Sequence, residues 1–201
     1  ALRRGDLDVA RAHAREAEAI FAALPDQAPR GEPANLLALV EDQAGDYEAA
    51  LAQARRALSL YEKGDEPLGA AASRLLAAAA LISLGRLDEA GETCSPVLED
   101  PALWPALHVE ARLLLAEIAL ARGAFDDAEA RLRAVEDQGT QEDRLEILTA
   151  IIRGLLELRR GHAPDPGLAE RITTLEGDTD RIERWLADLD ASAAERDALD
   201  L

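Results

Sequence analysis

The side chains that could carry catalytic or metal-binding chemistry are few and scattered. His13, His108 and His162 lie far apart without the spacing of metal ligands, so we expect each on a surface or helix flank and predict no metal site. Cys94 lies within a helical pattern and is predicted to be a small buried residue, because a reactive thiol needs an activating environment. No phosphate-binding glycine loop, nucleophile elbow or zinc-protease motif is present. The sequence therefore predicts a protein that is not an enzyme and uses no cofactor.

Acidic pairs and two tryptophans are the remaining candidates for a functional site. The pairs Asp126–Asp127 and Glu99–Asp100 lie near predicted helix ends of a very acidic chain, which favours solvated faces over acid–base or cation-binding roles. Trp104 is predicted to fill a junction between structural units. For Trp185 two interpretations stay open: packing in a terminal cap, or partial exposure as an anchor for a partner.

The charge and composition exclude several classes of function. The net charge of -18, from 40 acidic and 22 basic residues, disfavours binding to nucleic acid or to anionic membranes. The longest largely apolar run, Leu75–Leu84, is too short to cross a bilayer. A single cysteine cannot form an intrachain disulfide, so we expect a reducing, cytoplasmic location. Lys63 is the only lysine and there is no methionine; we expect a bacterial protein and a segment of a longer chain.

One short motif recurs along the chain and organises it. The motif is Gly, a polar or small residue, a larger apolar residue, two mostly polar residues and Ala, and it occupies residues 5–10, 45–50, 85–90 and 123–128. Successive glycines are 40, 40 and 38 residues apart, and Gly161 follows after another 38. A fixed spacing of this size is typical of a solenoid of helix pairs.

The residues around each glycine explain why it would join two helices. Apolar residues at i, i+3, i+4 and i+7 precede each glycine and predict a first helix. The glycine then favours a left-handed residue after the helix end, and an Asp such as Asp46 can cap the next helix. The third and sixth motif residues should face the first helix, where Ala permits close approach. Pro33, Pro67 and Pro105 lie near the predicted starts of first helices.

This motif resembles the tetratricopeptide repeat. Ala50 is followed seven residues later by Ala57, and Ala10 by Ala17, as in that family, whereas the third and fourth units have Val97 and Val135. The resemblance implies an all-α fold: a right-handed superhelical solenoid of antiparallel helix pairs with a divergent C-terminal capping region. We expect one domain over residues 1–201, with units at about 1–28 (partial), 31–64, 67–100, 103–138 and 141–176, and a capping helix at about 179–190.

The resemblance also implies the function of a module that binds a peptide or protein in a concave groove, as part of a larger regulatory or scaffold protein. Counting back from each turn glycine carries the family's inner wall onto nine residues: Asn35, Leu39, Asp42, Leu75, Ala79, Ile82, Leu113, Glu117 and Leu120. We expect contact to centre on Leu75, Ile82, Leu113 and Leu120.

The family's clamp for a C-terminal carboxylate is absent from that wall. Its Asn position holds Leu39, Ala79, Glu117 and Leu155, and its Lys position is never basic. The apolar wall with acidic spots favours an amphipathic helix with basic residues as partner. Two alternatives stay open: some of these leucines belong to the core, or the array is a spacer or oligomerisation segment without a free peptide ligand.

Overall fold

The computed structural model describes residues 4–23, 31–139 and 143–162. Within these ranges the chain forms eight helices and no strand, so the predicted all-α repeat fold is confirmed. The helices are α1 (Arg4–Ala23), α2 (Glu32–Gln43), α3 (Tyr47–Lys63), α4 (Pro67–Ser83), α5 (Leu87–Glu99), α6 (Pro105–Ala121), α7 (Phe125–Gln138) and α8 (Asp143–Arg159). The predicted capping helix at 179–190, and Trp185 with it, lie outside the described residues.

The described residues divide into two compact units, whose boundary falls inside α6. In the N-terminal unit, residues 4–114, each of α1 to α4 packs on the next helix, and α2 also contacts α4 directly. The helices before the motif glycines, α2 and α4, therefore lie side by side. In the C-terminal unit, residues 115–162, α7 packs on α8.

The turn glycines end the first helices as the motif predicts. Gly45 has a φ of 77°, and its N–H donates to the Asp42 carbonyl at 3.0 Å, while the N–H of Asp46 donates to the Glu41 carbonyl at 2.9 Å. This pair of bonds is the Schellman motif, which needs a left-handed residue at the glycine position. Asp46 then caps α3 by accepting a bond from the Ala49 N–H at 3.1 Å. The same turn recurs at Gly85 and Gly123, with φ of 72° at both.

Small motif residues form the contacts between helices. The sixth motif residues Ala50, Ala90 and Ala128 are buried, as are the residues seven positions later. Burial at these positions lets two helix backbones approach closely, as the sequence predicts. Cys94 is also buried, as predicted, and its thiol lies 3.4 Å from the Ala111 carbonyl, so it links α5 to α6.

A tyrosine that the repeat pattern does not single out completes the core between α2, α3 and α4. Tyr61 packs in a cluster with Ala34, Ala57 and Ala70. Its hydroxyl donates to the Glu32 carboxylate at 2.9 Å. Burial, together with the bond to Glu32, raises the pKa of the Tyr61 hydroxyl. The hydroxyl therefore stays protonated and remains a donor to Glu32.

Arginine–glutamate pairs join different elements of the fold. Arg56 pairs with Glu18 and so connects α3 to α1, and Arg55 pairs with Glu89 and so connects α3 to α5. In the C-terminal unit, Arg160 donates to Glu129 and lowers the pKa of that carboxyl. Exposed pairs of this kind each contribute little to stability, but they favour one arrangement of the helices.

Candidate protein-binding wall

The wall predicted from the sequence consists of residues ten, six and three positions before each turn glycine. On α2 these are Asn35, Leu39 and Asp42, and their spacing of i, i+4 and i+7 puts them on one face of the helix. The direct contact of α2 with α4 puts these two first helices side by side. The predicted wall of the N-terminal unit therefore belongs to two adjacent first helices.

The residues ten positions before Gly45, Gly85 and Gly123 are all buried. Asn35 is 8% exposed, and Leu75 and Leu113 are each 3% exposed. The hydroxyl of Ser73 on α4 lies 2.9 Å from the Asn35 side-chain oxygen and 2.8 Å from the Gly69 carbonyl. Asn35, Leu75 and Leu113 therefore lie beneath the accessible surface, and the bond between Ser73 and Asn35 connects α4 to α2.

Leu39, which lies six residues before Gly45, is the most exposed of the predicted wall residues. Leu39 is 47% exposed, and Leu36, one helical turn earlier, is 41% exposed. The sequence analysis did not assign Leu36 to the wall. Leu36 and Leu37 lie in the same apolar run, but Leu37 is buried. Local sequence gives no signal that distinguishes the exposed leucine from the buried one.

The other predicted wall residues are partly accessible. In the N-terminal unit these are Asp42, Ala79 and Ile82. In the C-terminal unit, Glu117 and Leu120 on α6 are also half-buried. Leu155, at the equivalent position before Gly161, is buried in α8. The accessible wall of the N-terminal unit is therefore apolar at Leu36 and Leu39, with a carboxylate at Asp42.

A bidentate ion pair holds α2 against α1. The Nε and Nη2 atoms of Arg11 donate to the two carboxylate oxygens of Glu41 at 2.8 and 2.6 Å. The bond to Arg11 lowers the pKa of the Glu41 carboxyl, against the opposing effect of burial. This contact fixes the helix that carries Leu36 and Leu39.

The residues singled out for catalytic or metal chemistry do not converge. His13 and His162 are exposed; His13 contacts Glu16 on the same helix, and His162, which follows α8, contacts Glu157. The His108 ring binds the Asp100 carbonyl at 2.9 Å. Within the described residues, no group of three or more histidine, cysteine or acidic residues could hold a metal ion.

The comparisons with known protein families agree with this geometry. Two family models, both described as tetratricopeptide repeat, match residues 1–63 and 35–101. The matched stretch contains α1 to α5 and three copies of the glycine–alanine motif. The chain belongs to the tetratricopeptide repeat family. The resemblance seen in the sequence is therefore confirmed.

Tetratricopeptide repeats generally mediate protein–protein interactions and are typically non-catalytic. No curated protein and no solved structure matches this tetratricopeptide repeat protein at a significant level. Across the part of the chain that the structure describes, no helix is both long and apolar enough to cross a membrane.

Proposed function

We propose that the wall formed by α2 and α4 binds an amphipathic helix of a partner protein within a regulatory or scaffold assembly. The observation that carries this proposal is the exposure of Leu36 and Leu39 on adjacent turns of α2. Apolar residues one turn apart suit the i, i+3 and i+4 anchors of a helix that lies along a groove.

The charge of the wall defines the partner further. Asp42 lies one turn beyond Leu39 on the same face of α2. The partner helix is therefore expected to carry Arg or Lys beside its apolar face. Asn35, Leu75 and Leu113 support the wall from beneath, because their burial leaves little surface for contact.

A second function, the spacer or oligomerisation segment, is favoured by a different surface. Val9 and Ile20 on α1 are each 56% exposed. Such apolar side chains suit contact with another helix, including one from a second copy of the chain. Sedimentation velocity across a concentration range, with Ile20→Ser as the comparison, tests this alternative directly.

The wall proposal is tested by capture of a partner from cell extract with three forms of the protein. A protein retained by the wild type and by Ile20→Ser, but lost with Leu39→Ser, supports the wall. Because Leu39 is exposed, Leu39→Ser should keep the wild-type helical content and melting temperature. Retention of every captured protein by Leu39→Ser at the wild-type level would overturn the proposal.

A further control separates wall residues from core residues. Leu75→Ser removes a buried side chain and is expected to lower the melting temperature strongly, by the loss of about 2–5 kcal/mol of stability. Its effect on capture is therefore a folding effect, whereas that of Leu39→Ser is a contact effect. The partner so identified is then titrated at two salt concentrations, and Asp42→Asn should weaken the salt dependence.

A further inference from the structure

The most exposed large apolar side chain among the described residues is not one of the wall residues. Trp104, the residue before α6, is 64% exposed. The sequence led us to expect it in a junction between units, and the structure corrects that expectation. Its neighbour Leu103 is buried instead. Exposing the apolar indole ring to water is unfavourable, and tryptophan is enriched at protein contact surfaces.

The loop that carries Trp104 is held in place on both sides. The Asp100 carboxylate accepts a bond from the Ala102 N–H at 2.9 Å. The Asp100 carbonyl accepts one from His108 at 2.9 Å, so the Nε2 atom of that ring carries the proton. The Trp104 carbonyl accepts the Leu107 N–H at 3.0 Å and so begins α6. These bonds restrain the backbone at Trp104, so little backbone freedom is left to lose on binding.

The sequence around Trp104 carries negative charge only. Between Arg86 and Arg112 there is no Lys or Arg, and the acidic residues nearest to Trp104 in sequence are Glu99 and Asp100. Glu99, at the end of α5, is exposed. An indole face in an acidic environment attracts a cation through both the ring quadrupole and the nearby carboxylates.

We propose that Trp104 is the anchor of a second docking surface, which receives an arginine side chain of a partner protein stacked on its indole. Arginine suits this site better than lysine, because the planar guanidinium stacks on an aromatic face and also donates to a carboxylate such as that of Glu99. A second copy of this chain is the less favoured occupant, because two chains of net charge -18 repel each other. This surface is independent of the wall on α2 and α4.

The experiment uses Trp185→Phe, which leaves Trp104 as the only tryptophan and thus a fluorescent reporter of its own site. The probe is a short flexible peptide of Arg, Gly and Ser, which lacks the apolar face that the wall is proposed to bind. A matched peptide replaces each Arg with citrulline, which keeps the shape and removes the charge. We expect the arginine peptide to change the Trp104 emission and the citrulline peptide to bind at least about tenfold more weakly.

Substitutions in the protein then assign the contact. Trp104→Ala and Trp104→Leu are expected to weaken the arginine peptide by roughly tenfold or more, while Glu99→Gln weakens it less. Leu39→Ser on the wall and Ile20→Ala on α1 should leave this affinity within about twofold, since distant sites act independently. Because Trp104 is exposed, all of these variants should melt like the wild type.

Three results would overturn the proposal. The first is equal affinity for the arginine and citrulline peptides. The second is undiminished binding by Trp104→Leu, which keeps an apolar side chain but lacks the aromatic ring. The third is a dimer that dissociates on Trp104→Ala, since that assigns the surface to self-association. Loss of partner capture by Leu39→Ser alone bears on the wall and leaves this surface unaffected.

Discussion

The aromatic ring of Tyr61 lies directly against the backbone of Gly69, with no room for a side chain at that position. A Cβ atom added at Gly69 would overlap the Cδ1 and Cε1 atoms of Tyr61. A Cβ atom at Gly31 would overlap the opposite edge of the same ring, at Cε2 and Cδ2. One side chain at the end of α3 thus fits between the starts of α2 and α4. Shape complementarity here, rather than apolar area alone, fixes the spacing of three helices.

Gly69→Ala is therefore expected to destabilise the protein although alanine is the better helix former. Overpacking against Tyr61 should cost about 1–3 kcal/mol, which exceeds the gain of about 1 kcal/mol in helix propensity. Gly91 in α5 is the matched control, because an added Cβ there meets nothing within 4 Å. Gly91→Ala should be neutral or stabilising in urea unfolding. A Gly69→Ala protein more stable than the wild type would contradict the packing described for Tyr61.

Ala50→Leu tests the close contact at the sixth motif position. Ala50 is buried between α2 and α3, whereas Ala49 is only partly buried. We expect Ala50→Leu to lower the free energy of unfolding by roughly 1–3 kcal/mol through overpacking. Ala49→Leu should be tolerated better. Denaturant titration of both variants is the measurement, and equal losses at the two positions would show that the repeat frame is misplaced.

Glu41→Gln tests the clamp between α1 and α2 through its dependence on pH. Arg11 holds the pKa of Glu41 below its ordinary value of 4.5 in the folded protein. The folded state therefore binds this proton less readily than the unfolded state, and the stabilisation is fully present above the ordinary pKa. It is lost as the pH falls through the folded pKa.

The urea midpoints of wild type and Glu41→Gln should consequently differ at pH 7 and converge in acid. Glu48→Gln is the control, because the Glu48 side chain is 70% exposed and reaches Arg86 only at 3.9 Å. Its midpoint should stay close to that of the wild type throughout. A difference for Glu41→Gln that persists unchanged to low pH would show that the ion pair is not its cause.

Duplex DNA is expected to bind weakly or not at all at moderate salt. The net charge of -18 opposes the phosphate backbone. Fluorescence anisotropy of a labelled duplex measures this directly, and lower salt should not produce tight binding. Tight binding that salt disrupts would reveal a basic surface that the sequence does not indicate.

The local sequence determined the helices and their turns, because the signals act over a few residues. Gly45, Gly85 and Gly123 adopt the left-handed conformation that ends a first helix, and Asp46 caps the helix that follows. The turn between α3 and α4 departs from this rule, because Asp65 rather than Gly64 takes the positive φ, of 55°. The first helix of the unit that the sequence predicts at about 141–176 runs from Asp143 to Arg159.

The sequence by itself also determined the repeat frame, which periodic apolar residues and buried alanines encode. Only the tertiary structure decided which frame positions face outward. Leu39 and Leu75 are both apolar wall residues by sequence, yet one is exposed and the other buried. The two leucines occupy different positions of the frame. Leu75 lies ten residues before its turn glycine, a position that is buried in all three repeats, whereas Leu39 lies six residues before its turn glycine and is exposed. Only the structure shows, likewise, that Tyr61 fits between Gly31 and Gly69 at the starts of two other helices. It also shows that Trp104 is exposed while its neighbour Leu103 is buried.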